Sequence, residues 1–158
     1  MVKSELIGMN QGRGQNINNL RTETKGLNIL LEVNQGFYIP NKEEKMKLYS
    51  ICGIDYKKYS RSVDCIQLKV DSFNLIQSDK DFDFVEVKTT KDAKVKKLPY
   101  GVFFGFTQNE ENLFKELPNY KLCIVHSILK EFYCLNFDEY SNLIQNKRIQ
   151  FQINFKSK

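Results

Sequence analysis

Glu86 and Lys88 stand two residues apart in Asp81-Phe82-Asp83-Phe84-Val85-Glu86-Val87-Lys88-Thr89-Thr90, a segment in which polar and apolar residues alternate. Such alternation predicts a strand, because successive side chains point to opposite faces. Phe84, Glu86 and Lys88 then share one face, while Val85 and Val87 point to the other and can bury against a core. A carboxylate and an ammonium held side by side on a rigid strand can bind a divalent cation and steer a water toward a phosphodiester.

Hydrolysis of that bond needs oxygen ligands for Mg²⁺ near the phosphate, a group that orients the water and a positive charge for the transition state. Glu86 supplies one carboxylate, Val87 a backbone carbonyl and Lys88 the ammonium. Magnesium takes oxygen ligands and keeps several waters, so a second carboxylate would complete the set, and Mn²⁺ could substitute. Asp64 fits if residues 64–70 pair antiparallel with 82–88 and residues 71–81 connect them. Asp71 fits if residues 71–77 form a hairpin partner through the turn at 78–81, which would set it nearly opposite Lys88. A competing reading makes Glu86 and Lys88 the solvated face of an edge strand. Phe82 and Phe84 share their parity, however, which implies a covered face where a carboxylate is costly unless it coordinates something.

Asp64 or Asp71 followed by Glu86-Val87-Lys88 resembles the D…(E/D)-x-K signature of the restriction-endonuclease-like nuclease superfamily, most like a small type II restriction endonuclease. The proline that commonly precedes the aspartate is absent, with Val63 or Val70 in its place. The resemblance implies a mixed α/β core over about residues 41–128, a central mixed β-sheet flanked by helices. It also implies magnesium-dependent cleavage of double-stranded DNA, with the aspartate and Glu86 as metal ligands and Lys88 beside the attacking water. By the same resemblance an acidic residue on the helix before the sheet contributes, which points to Glu43 or Glu44.

The elements that must position these residues follow from capping and periodicity. At 158 residues the chain is long enough for a single domain with its own core. Residues 1–26 are polar and glycine-containing and are expected as an irregular N-terminal arm; Gly12-Arg13-Gly14 is too short for a phosphate-cradling loop. Leu27–Ile39 suggests a strand or hairpin. Asn41 and Glu44 form a capping box for a helix to about Ser50, with Gly53 as its stop. Residues 63–70 and 82–90 read as strands, and residues 71–77 extend the first, form another or make an excursion. Val102–Phe106 reads as a buried strand, Thr107 and Glu110 as the capping box of a helix ending at Pro118, and Tyr120–Ile128 as a strand. Glu131–Phe155 completes the chain as a strand or mixed tail, with clean alternation over Gln150–Phe155.

Charge points to the partner. The net charge is +5, and five lysines (Lys88, Lys91, Lys94, Lys96 and Lys97) fall directly on and after the Glu-Val-Lys strand. Lys57, Lys58 and Arg61 form a second group upstream. Positive clusters neutralise phosphates, so Arg61, Lys91, Lys94, Lys96 and Lys97 are candidate DNA contacts. Gln67, Gln108 and Asn109 could reach base edges. No apolar run approaches the 18 or so residues of a membrane span, and no secretory leader follows Met1, so a cytoplasmic protein with reduced thiols is expected. Cys65 and Cys123 read as small buried hydrophobes. The lone His126 and the absence of a Cys-x-x-Cys pair argue against structural zinc.

The expectation is a metal-dependent DNA endonuclease of the restriction type. Duplex cleavage would require a homodimer or a partner subunit, since one centre cuts one strand. A repair or recombination nuclease such as a junction resolvase would use the same residues. A non-catalytic nucleic-acid-binding module would bind without cutting.

Overall fold

The computed structural model describes residues 14–158, with side chains from residue 22 onward. The expected irregular arm at 1–26 lies partly outside the described residues, and over 14–26 it is corrected: that stretch is helical. Helix α1 (Gly14–Glu32) is followed by β1 (Phe37–Tyr38), α2 (Lys42–Cys52), the short α3 (Tyr56–Tyr59), β2 (Cys65–Leu68) and a 3-10 turn at Phe73–Leu75. Then come β3 (Phe82–Thr90), α4 (Gln108–Glu116), β4 (Tyr120–His126), β5 (Glu131–Leu135) and α5 (Phe137–Leu143). The strands form one sheet in the order β1-β2-β3-β4-β5. Only β3 and β4 pair in parallel, joined through α4, so the sheet is mixed and flanked by helices, as expected.

Alternation along β3 sorts the two cores. Phe82 and Phe84 pack with Leu48 and Tyr49 of α2, Leu113 and Phe114 of α4 and Tyr140 of α5. Val85 and Val87 pack on the other face with Leu30 of α1, Cys65, Cys123 and Val125. Strand β3 is thus central and sealed on both faces, which excludes the solvated-edge reading of Glu86 and Lys88. Both predicted capping boxes form, Asn41 with Glu44 and Thr107 with Glu110, and Gly53 closes α2 with φ of 67°.

Three local expectations are corrected. Leu27–Ile39 begins as the end of α1 rather than a strand, because Leu27 and Leu30 have a sheet face to cover. Val102–Phe106 forms no strand: β2 and β4 already occupy both sides of β3, and Phe103 is 95% exposed. Gln150–Phe155 also joins no sheet, and Phe151 and Phe155 project into solvent. Alternation favours a strand only where a neighbouring edge takes up its backbone groups.

The cysteine expectation changes too. Cys123 and Cys134 face each other across β4 and β5 with Cα atoms 4.1 Å apart and are joined as a disulfide. Register between two strands decides this, and spacing along the chain does not reveal it. Cys65 is a buried free thiol, as its setting suggested. Among the described residues no helix is long and apolar enough to cross a membrane.

Helix α1 seats on the sheet through Gly26, where a Cβ would run into the Thr89 side chain of β3. Thr89 is β-branched and cannot swing aside freely. Gly26→Ala should therefore destabilise by about 1–3 kcal/mol through overpacking, despite a helix-propensity gain of about 1 kcal/mol. The Thr89 hydroxyl is buried without a partner, so adding Thr89→Ala should recover most of the loss. Urea unfolding of the single and double variants measures the coupling; additive losses would mean that α1 does not seat on Thr89.

Candidate functional site

The antiparallel register Cys65↔Val85 to Leu68↔Phe82 decides between the two candidate aspartates. Strand β2 begins at Cys65, so Asp64 stands beside Glu86. Asp71 lies past Leu68, beyond the opposite end of the pairing, and the chain between 71 and 81 is a connection carrying the 3-10 turn. At about 3.3 Å per residue, the four steps from Phe82 to Glu86 alone exceed about 13 Å. Asp71 is exposed and is not opposite Lys88.

Asp64 is fixed by the backbone. Its N–H donates to the Val85 carbonyl at 3.0 Å, and its Oδ2 accepts from the Val87 N–H at 2.8 Å. The Val87 carbonyl leaves the strand on the same side as that N–H, so it emerges next to Asp64. Ile66 belongs to the core on the Glu86 face, and alternation puts the Asp64 side chain on that face too. The Asp64 and Glu86 carboxyl groups stand close enough for each to shift the other's ionisation.

Glu86 is only 4% exposed, and Lys88 Nζ approaches its Oε1 at 3.0 Å. The same ammonium lies 3.3 Å from Glu110 Oε2 of α4 and 5.5 Å from the Phe106 ring centroid. The Glu86 Oε2 is buried with no donor. Burial and the neighbouring Asp64 charge push the Glu86 carboxyl up to about 10. Burial also raises Asp64, against the Val87 N–H, which lowers it. Asp64 nonetheless keeps an open surface at the mouth of the site. Lys88 is pulled down by burial, but Glu86 and Glu110 outweigh that and hold its ammonium charged.

Three further residues join the cluster. Glu110 was legible only as a helix cap; its Oε2 accepts from the Thr107 N–H at 2.7 Å and reaches Lys88 as well. Lys45 of α2 donates to the carbonyls of Ser60 and Val63 at 2.5 and 2.9 Å, holding the chain that leads into Asp64. Burial lowers its ammonium, while Asp64 and Glu86 pull it back up. Glu23 of α1 keeps an exposed side, yet surrounding protein and the Asp64 charge raise its carboxyl. Glu23 carried no signal while its segment read as an arm.

The acidic residues expected on the preceding helix lie elsewhere. Glu44 accepts from the Tyr38 hydroxyl at 2.9 Å and from the Asn41 N–H at 2.9 Å, and Glu43 is exposed. Among the basic candidates, Lys91, Lys94, Lys96 and Lys97 are exposed on a loop anchored by the buried Val95 and Leu98. Lys96 and Lys97 line a cavity with Lys130 and Tyr133 of the β5 side, two strands from Glu86. Arg61, Lys57 and Lys58 line another cavity beside the start of α4. His126 is buried, with ring nitrogens near the Asp92 carbonyl and the Leu129 N–H, a structural setting. Gln67 Nε2 donates to the Gln35 carbonyl at 3.0 Å, within the sheet's own edge.

Among the described residues no three His, Cys, Asp or Glu side chains stand as a ready-made metal cage. Magnesium does not demand one, since it commonly binds through one or two carboxylates and keeps its waters. The Glu86 Oε2 without a donor, the adjoining Asp64 carboxylate and the Val87 carbonyl are oxygen donors of the kind it takes. Among the described residues, the acids Asp64, Glu86, Glu110 and Glu23 outnumber the bases Lys88 and Lys45 whose charges they feel. That donor set fits a hard divalent cation.

A carboxyl that holds its proton more tightly when folded contributes stability below its unfolded value and loses it as pH rises through the folded one. For Glu86 that window runs from the ordinary 4.5 to about 10. In chelator, Glu86→Gln should thus melt higher than wild type at pH 8, with the gap closing toward pH 4. Parallel melting-temperature profiles for the two proteins would show that Glu86 is not destabilised by ionisation.

Comparison with models of protein families, with curated proteins and with solved structures finds no match to this chain.

Proposed function

We propose that the protein is a metal-dependent endonuclease acting on double-stranded DNA, built on a restriction-endonuclease-like core. The observation that carries this reading is the Glu86 carboxyl: buried on a central strand, with one oxygen against Lys88 and the other without a donor beside Asp64. A structural ion pair has no need of the second acid, and burying an extra carboxylate is costly. The antiparallel β2–β3 pair and the helix-linked parallel strand β4 agree with what the D…(E/D)-x-K resemblance implies.

Asp64, Glu86 and the Val87 carbonyl would hold Mg²⁺, or Mn²⁺ in its place, and such an ion supplies Lewis-acid polarisation of the phosphoryl group. The chain's own residues do the rest. Lys88, held charged between Glu86 and Glu110, orients the attacking water and offsets the charge that develops on the phosphate. The Glu86 proton must leave before the carboxylate can ligate, so cation binding releases a proton. Lys45 fixes the Ser60–Val63 segment and hence the position of Asp64. Each chain offers one such centre, so duplex cleavage calls for two chains, either a homodimer or a partner subunit.

Purified protein with Mg²⁺ or Mn²⁺ should nick or cut plasmid DNA. Asp64→Asn, Glu86→Gln and Lys88→Ala should each reduce cutting by at least about 100-fold, the lower end of what losing such a transition-state contact costs. Asp64→Asn keeps an oxygen for the Val87 N–H, so its folding should be spared. Calcium should permit binding without cleavage, because its looser coordination polarises the water poorly. Discrete plasmid bands would identify the restriction type, and symmetric cuts at four-way junctions a resolvase. Glu86→Gln cutting at the wild-type rate would sink the proposed centre. Inactivity on every substrate with manganese would leave a binding module.

A further inference from the structure

Between α3 and the start of α4 lies an open cavity of about 650 Å³ lined by Lys57, Lys58, Arg61, Ser60, Gln108 and Asn109. Its wall is the segment that leads directly into Asp64. Five carbonyls of that segment already accept hydrogen bonds. The Lys58 carbonyl accepts from Asn109 Nδ2 at 3.2 Å, Tyr59 from the Tyr49 hydroxyl at 2.7 Å and Ser62 from the Tyr120 hydroxyl at 2.5 Å. Ser60 and Val63 accept from Lys45 Nζ. Of the nearby carboxylates, Asp55 caps the N–H groups of Lys57 and Lys58 and Glu110 faces Thr107 and Lys88, while Glu116 and Asp55 both help hold Lys58 charged. Glu111 is held by Tyr140 and Lys147.

What remains at the cavity is one-sided. Lys57, Lys58 and Arg61 are exposed, and none of the ion pairs among the described residues engages them. A concave surface bearing three such cations and no carboxylate in its lining attracts an anion. Arg61 stands three residues before Asp64, so their Cα atoms are at most about 11 Å apart. From this geometry we infer that the cavity binds a backbone phosphate of a nucleic-acid strand, flanking the phosphate presented to Asp64 and Glu86. The inference rests on the nuclease reading for the second half of that statement only; the anion site stands on its own lining.

The test is fluorescence anisotropy with a short labelled DNA duplex in calcium, over about 50–200 mM salt, where phosphate contacts dominate the salt dependence. Lys57→Ala/Arg61→Ala should flatten the plot of log affinity against log salt by about two units, one for each cation removed. Gln108→Glu separates recognition from folding. A carboxylate in the first turn of α4 favours the helix, so its melting temperature should hold or rise, while DNA binding should weaken several-fold. Inorganic phosphate at matched ionic strength should compete only feebly if the cavity serves a polynucleotide. An unchanged slope in the double variant, wild-type protein that does not bind DNA, or phosphate alone saturating the cavity would each overturn the inference. Metal-dependent cutting with an unchanged slope removes this site and leaves the nuclease reading. A flattened slope without any cutting does the reverse.

Discussion

The site depends on one hydrogen bond, from the Val87 N–H to Asp64 Oδ2 at 2.8 Å. Strand β3 runs on to Thr90, but its neighbour β2 starts only at Cys65. Past Val85 the β2-facing backbone of β3 has lost its ladder partner, and a buried N–H left orphaned there would cost about 1–3 kcal/mol. The Asp64 carboxylate takes the place of the missing strand. In doing so it is held on the face of the sheet that carries Glu86, beside the Val87 backbone. The same mismatch in strand length satisfies the backbone and gathers the oxygens.

Around that bond the charges are arranged so that no single pair satisfies them. Glu86 shares Lys88 with Glu110, and Glu110 divides itself between Lys88 and the Thr107 N–H. Lys45 spends its donors on two carbonyls rather than on the carboxylates whose field it feels. The result is a buried carboxyl that keeps a proton well above the ordinary range. Holding that proton spares the fold much of the cost of burying a charged carboxylate.

Much of this arrangement was legible in the chain. The alternation at 82–90 located β3 and the shared face of Glu86 and Lys88, and two capping boxes fixed where α2 and α4 begin. The choice between Asp64 and Asp71 was not legible, because it depends on register, and both stood at the edge of plausible pairings. Glu110 was visible as a cap but not as a partner of Lys88, since only the crossover between β3 and β4 brings the first turn of α4 to the sheet. Glu23 was hidden because its helix is polar along most of its length and gains its reason to form from the sheet face that Leu27 and Leu30 cover. Val102–Phe106 misled for the opposite reason. Its apolar residues serve as a lid, with Phe106 against Phe114, Tyr140 and the Lys88 ammonium.

The engagement of carbonyls along 58–63 extends the same logic outward from the site. Lys45 and Tyr49 of α2 and Tyr120 of β4 lie against this segment, and each anchors one or more of its carbonyls. Tyr49 and Tyr120 also belong to the core that packs Phe84, so the segment's shape is coupled to the packing beneath Glu86. With these carbonyls engaged, the surface beside them is lined by cations, hydroxyls and amides. The interior is therefore not passive support: the hydrogen bonds that hold the entry to β2 rigid also decide the sign of the surface beside it.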